Sequence, residues 1–218
     1  MTSRKEKKKQ NKPAKQTSRL RQVLDTLFFI VLIGGILISR LFFWHAVRVE
    51  GHSMDPTLAE GQHLVVFNHN QIDRFDIVVA SETDDDGKEK NIVKRVIGMP
   101  GDQLEFKQDT LLINGKEVDE SYLSDYKAAF QADKLQATYS YSPYFQTLAQ
   151  TSAAFTVNKE GQADFSVTVP EGQYYLLGDD RIVSKDSREV GPFTAKQIKG
   201  EVVLRFWPLD NIKVLHNE

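Results

Sequence analysis

Residues 24–44 read LDTLFFIVLIGGILISRLFFW, with no charge between positions 26 and 39. A membrane-spanning helix needs about 20 apolar residues, so the predicted span takes in Arg40 and the LFFW that follows. Arg40 can lift its guanidinium toward the headgroups along its aliphatic stem. Phe42, Phe43 and Trp44 suit an aromatic interfacial belt. The apolar surface runs all round the segment and does not form the stripe of a core helix. Positions 42–45 are too bulky for the small-x-small site of a removed leader. The pattern predicts an uncleaved anchor over 24–44.

After residue 45 the period changes. Short apolar runs alternate with turn signals: AVRVEG (46–51), HLVVFN (63–68), FDIVVAS (75–81), NIVKRVIG (91–98), QLEFKQ (103–108), TLLING (110–115), FSVTV (165–169), QYYLLG (173–178) and GEVVLRFWPL (200–209). Val, Ile, Phe and Tyr dominate them, as in strands. Asn114-Gly115 is a two-residue hairpin signal. The acidic run 84–86, closed by Gly87, reads as a solvated loop. Residues 119–164 are rich in Ser, Tyr, Gln and Ala and only weakly periodic, with a trace of helix near 122–136. They read as a lobe inserted between core strands. The expected class is mostly β: antiparallel sheets, partly closed into a barrel, behind one transmembrane helix.

Charge adds an orientation. The whole chain carries −2, yet residues 1–22 hold nine Lys/Arg against one acid, Glu6. A basic tail beside a membrane span keeps the N-terminus in the cytoplasm. The expected division is a cytoplasmic tail (1–23), a signal anchor (24–44) and an extracytoplasmic domain (45–218), a single-pass cell-membrane protein of type II. Next to a span, retention by the membrane is the simpler reading of the tail than nucleic-acid binding. The chain has no cysteine, which excludes disulfides and thiolate chemistry. His45, His52, His63, His69 and His216 do not form a metal-ligand spacing. GMPGD (98–102) lacks the GK[ST] of a phosphate loop and reads as a turn. No metal and no cofactor are expected.

Three segments hold candidate chemistry. In Gly51-His52-Ser53-Met54-Asp55-Pro56 a serine lies in a tight turn just past a strand, where backbone N–H groups can face an oxyanion. Such a serine is also a common turn residue. A nucleophile needs a base, and GxSxG fails at Asp55. Lys94 lies inside NIVKRVIG, with Ile92 and Val96 on its face of the strand. Buried, it would lose its charge toward neutral pH; on an edge it would point to solvent. The run LLGDDRIVSKDSREVG (176–191) is either a polar surface loop or a set of groups that orient the lysine.

Four ordered segments carry a resemblance: GHSMDPTL (51–58), RFDIVV (74–79), KRVIGMPGD (94–102) and GDDRIVSKDSREVG (178–191). They resemble bacterial type I signal peptidases, and with the intervening strands the likeness spans about residues 24–210. The resemblance implies a mostly β fold of coiled antiparallel sheets. It also implies an endopeptidase that removes signal peptides from exported preproteins at Ala-x-Ala-type sites on the outer membrane face, with the preprotein and the bilayer as partners and no nucleic acid. By the same resemblance Ser53 is the nucleophile and Lys94 the general base. Ser184 orients Lys94, and Asp186 and Arg188 support the site. Asp180 stands where the family has Asn. Gly51 stands where some members carry a serine hydroxyl that helps the oxyanion. The substrate would lie extended along strand edges near 49–53 and 91–94, its small side chains against Val49, Met54, Leu58 and Ile92. Phe206 and Trp207 could enter the interface or pack internally. The alternatives are a non-catalytic assembly factor for exported surface subunits, a self-cleaving Ser–Lys repressor-type protease and an inert adhesion module. The first has no use for Ser53 and Lys94, the second would be cytosolic, and the third leaves the four motifs unexplained.

Overall fold

The computed structural model describes residues 16–68, 71–83 and 86–215. The first fifteen residues of the basic tail, His69, Asp84, Asp85 and His216 lie outside them. The described chain falls into two units that divide after Phe42.

The first unit is one helix, α1 (Gln16–Phe42), whose apolar window runs Arg19–Arg40. At 1.5 Å per residue, 22 residues reach about 33 Å, enough for a hydrocarbon layer of about 30 Å. Leu, Ile, Val and Phe side chains stand exposed on all its sides. The helix begins before residue 24, and Trp44 opens a strand.

The second unit begins with β1 (Trp44–Arg48), β2 (His63–Phe67), β3 (Ile77–Thr83) and β4 (Glu89–Gly98). Next come β5 (Gln103–Lys107), β6 (Thr110–Ile113) and β7 (Lys116–Val118), then helices α2 (Ser124–Asp133) and α3 (Pro143–Thr151). The chain continues through β8 (Phe165–Thr168), β9 (Gln173–Leu177), α4 (Ser187–Val190), β10 (Phe193–Thr194), β11 (Ile198–Trp207) and β12 (Lys213–Val214). The larger sheet runs β1-β2-β11-β3-β4-β9-β10, with β12 on β11; the smaller runs β7-β6-β5-β8. Both are antiparallel. Neither closes: the larger sheet ends on β1 and on the two-residue β10, so the expected partial barrel is replaced by two open sheets. All nine strand candidates are present. Asn114 (φ +52°) and Gly115 (φ +75°) make the left-handed pair of a tight hairpin between β6 and β7.

β4 organises the fold. Its residues alternate between two cores, as a strand buried on both faces must. Ile92 and Val96 pack with Val78, Ala80, Leu176 and Phe193, while Val93 packs with Val49, Leu64, Val66 and Val79. Residues 89–95 pair with β3, and β9 joins from Arg95 onward. Among the described strands, none pairs with that side of residues 89–94.

The inserted lobe has its own core of Leu123, Phe130, Leu135, Tyr139, Ala149 and Phe155. Ile182 and Val183, from the loop after β9, pack against it. α2 falls within the weak period near 122–136. α3 was not legible as a helix, although it carries a local start signal: the Ser142 side chain accepts from Phe145 N–H, and Pro143 follows.

Candidate active site

Ser53 sits in the turn between β1 and β2. The turn is tied at its base by Val49 N–H to Gln62 O (2.8 Å) and Gly61 N–H to Val49 O (2.9 Å). Gly51 has φ +78°, a conformation that disfavours any side chain. Glycine adopts this turn without strain, and the hydroxyl that some family members carry there is absent from this chain. Met54 and Leu58 anchor the turn in the core, leaving Ser53 half-buried.

Lys94 is the last β4 residue before β9 joins. It is 4 % exposed, and its Nζ lies 2.7 Å from Ser53 Oγ. Burial pulls its pKa down to about 8, against the opposing pull of Asp186, Glu82 and Asp179. An amine at that value is neutral in a useful fraction of molecules near pH 7 and can accept the serine proton.

The loop after β9 closes the site from below. Asp180 N–H donates to Ser53 O (3.1 Å). A Cβ on Gly178 would lie 2.4 Å from Ser53 O and 2.2 Å from Ser184 Oγ, so only glycine fits between them. Asp186 accepts from Gly178 N–H (3.0 Å), caps α4 and is gripped by Arg188 through Nε and Nη2 (2.8 Å each). Burial alone would raise the Asp186 pKa; Arg188 overrides it and holds the carboxyl below the usual range. Arg188 also donates to the carbonyls of Arg181 (2.8 Å) and Ser184 (3.2 Å), fixing the loop's shape. Ser184 is buried, and its Oγ has no hydrogen-bond partner among the described residues. Its resemblance-based contact with Lys94 is therefore not made in this structure.

Of the four side chains expected against the substrate, Ile92 keeps surface on the free stretch of β4. Val49, Met54 and Leu58 are 3 %, 1 % and 0 % exposed and belong to the core. There they fasten the serine turn to the core.

Several residues escaped the sequence reading. Arg95 is fully buried and pairs with Asp179 through Nε (2.9 Å) and Nη2 (2.7 Å), with its guanidinium 4.0 Å from the Tyr122 ring centre. Thr57 donates to the same carboxylate (2.5 Å), so the serine turn, β4 and the loop after β9 meet there. Their signal was available: a cation on the second apolar face of a strand requires a buried anion. Glu120 of the lobe holds the buried Arg181, and Tyr139 OH donates to Asp180 Oδ1 (2.6 Å). Burial lifts the Asp180 carboxyl to about 7 despite that bond. The histidines make local contacts: His45 with Asn68 (2.7 Å), His52 with Asp55 (2.9 Å), and His63 edge-on to Phe206.

An apolar helix long enough to cross a membrane, followed by a β-fold in which a half-buried serine touches a buried amine, is an arrangement that fits a serine hydrolase. Comparison with known proteins narrows it. Residues 20–207 match the family described as "Signal peptidase, peptidase S26". Signal peptidase I of Streptococcus pneumoniae R6 is 55 % identical over 191 residues, covering 84 % of this chain and 92 % of that one. Signal peptidase IB of Staphylococcus aureus COL is 35 % identical over 204 residues, covering 90 % and 95 %. A solved signal peptidase I from Enterococcus faecalis is 28 % identical, with a TM-score of 0.44 over 61 % of this chain and 97 % of that one. The chain belongs to the peptidase S26 signal peptidase family.

Proposed function

We propose that this serine endopeptidase removes signal peptides from exported preproteins with Ser53 as nucleophile and Lys94 as general base. The observation that carries the assignment is the 2.7 Å approach of a buried amine, its pKa lowered to about 8, to an accessible hydroxyl. Neutral Lys94 takes the Ser53 proton as Oγ attacks the scissile carbonyl carbon. The tetrahedral intermediate collapses, the C–N bond breaks, and Lys94 hands its proton to the departing amine. Lys94 then deprotonates a water that attacks the acyl-enzyme, and Ser53 leaves reprotonated. The Ser53 backbone N–H is the oxyanion donor, since Gly51 offers no hydroxyl.

The unpaired side of residues 89–94 fits a substrate that adds as an antiparallel strand, which would bring its scissile bond past Lys94. Ala-x-Ala sites follow from the family. Asp186 and Arg188 hold the loop beneath the serine, and Ser184 serves the lysine once it is charged. The 22-residue apolar helix supports a single-pass anchor in the bilayer. The basic tail supports a cytoplasmic N-terminus with the catalytic domain outside.

The test is cleavage of a preprotein by the purified full-length enzyme in phospholipid vesicles. Ser53→Ala and Lys94→Ala are each expected to abolish turnover while the protein remains folded by circular dichroism. Wild-type turnover by either variant overturns its assignment.

A further inference from the structure

We propose that Tyr139, in the inserted lobe, is a positioning residue for Ser53 and acts through Asp180. This rests on the Ser53–Lys94 reading above and gives the lobe a part in it.

Asp180 touches the site through its backbone alone. Its N–H donates to the carbonyl of Ser53 (3.1 Å), and its carbonyl accepts from Ser184 N–H (3.1 Å). The peptide unit that fixes Ser53 from below is therefore carried by the residue whose side chain points into the lobe. That side chain is fully buried. Its Oδ1 accepts from Tyr139 OH (2.6 Å) and more weakly from Ile182 N–H (3.3 Å), while Oδ2 has no hydrogen-bond partner. Tyr139 is itself fully buried, with its ring edge-on to Phe145 at 5.7 Å. Both ends of the bond are thus immobilised, and among the described residues the hydroxyl is the one side-chain donor on that carboxyl.

A buried carboxyl deprived of its donor either takes up a proton or turns toward water or another partner, and each changes the bonds that hold its loop. Either way the 178–184 loop turns, and the Ser53 carbonyl moves with it. The Lys94–Ser53 approach cannot absorb much, because a misplacement of about 1 Å can cost about a hundred-fold in rate. An amide at position 180 does not ionise, so loss of the hydroxyl costs it a neutral hydrogen bond and not one to a charge. Asn, the residue the family resemblance places there, would tolerate the loss of the hydroxyl. The aspartate and the tyrosine therefore form a coupled pair.

The experiment measures kcat and KM on a preprotein with full-length enzyme in vesicles, for wild type, Tyr139→Phe, Asp180→Asn, the double variant and Ser53→Ala. Tyr139→Phe is expected to lower kcat about ten-fold with KM unchanged. Asp180→Asn alone keeps the backbone N–H that holds Ser53, and its kcat is the baseline against which the double variant is read. Adding Asp180→Asn to Tyr139→Phe should restore kcat to within about three-fold of that baseline. A purely structural tyrosine would lower the yield of active enzyme without this selective rescue. Wild-type kcat in Tyr139→Phe, or a loss that Asp180→Asn fails to repair, overturns the proposal. Should Tyr139→Phe not fold, the double variant decides alone: folded and active supports the proposal, unfolded or slow overturns it. An active Ser53→Ala would instead sink the nucleophile assignment.

Discussion

Lys94 and Arg95 are neighbours on one strand, buried to 4 % and 0 % exposure, and they end in opposite circumstances. Arg95 faces the core and meets a carboxylate, a hydroxyl and an aromatic ring. Lys94 faces the serine turn and meets one hydroxyl. Burial lowers the pKa of Lys94 to about 8, whereas Arg95 beside Asp179 is held above its usual value in spite of burial. The same strand thus makes a base on one side and a tie on the other. Burial alone does not decide the outcome; the presence of a contacting anion does.

Replacing each cation by methionine separates the two roles most sharply. Lys94→Met should reduce preprotein cleavage by about 10³-fold or more, the upper range for a general base. Its stability should not fall. The folded pKa lies below the unfolded value of about 10.5, so at neutral pH the native state carries a penalty of about 3 kcal/mol that methionine removes. Arg95→Met should do the reverse to stability. It strands the buried Asp179 carboxylate and is expected to cost about 3–5 kcal/mol in urea unfolding. Equal loss of stability in both variants would erase the contrast.

The next effect is in pH. Lys94 must be neutral to act, so kcat/KM should climb as pH rises and level off above about 8. Two pH units below that value, near pH 6, it should stand about a hundred-fold under the plateau. The linked stability has the same sign: between about 8 and 10.5 the unfolded chain binds the proton and the native state does not, so stability increases with pH through that window. A rate profile flat from pH 6 to 9 would mean that another group takes the proton.

The contrast was half legible in the sequence. Alternation on NIVKRVIG placed Lys94 and Arg95 on opposite faces, and the turn around Ser53 followed from Gly51 and Pro56. What alternation could not supply was the partner of each cation, because Asp179 lies 84 residues from Arg95 in sequence. Nor could it tell that Val49, Met54 and Leu58 are buried in the core. Apolar residues flanking a nucleophile look the same in one dimension whether they line a pocket or bolt the turn to the core. The two open sheets, in place of a partial barrel, reflect the same limit. Strand order is set by long-range pairing, and the short strands β7, β10 and β12 carry too little pattern to announce it. The lobe was legible only as an insertion, since its ties to the loop after β9 join residues far apart in sequence, such as Glu120 with Arg181 and Tyr139 with Asp180.

The smallest predicted effect concerns Ser184, and it sharpens the comparison from the lysine's side. Arg95 is charged throughout and has its acceptors in place. Lys94 becomes charged only when it takes the serine proton, and an ammonium in a dry site then needs acceptors for three N–H groups. Ser184 Oγ is buried, unpartnered and packed on Gly178, next to the carbonyl of Ser53. A hydroxyl held without a partner contributes nothing to the resting fold, but it can accept from the ammonium as that forms. Ser184→Ala should therefore lower kcat by about ten-fold, the value of one hydrogen bond to a charged group. It should leave Tm unchanged or slightly raised, because an unsatisfied polar atom is removed. A fall in Tm without a fall in kcat would show that the hydroxyl supports the loop and not the lysine.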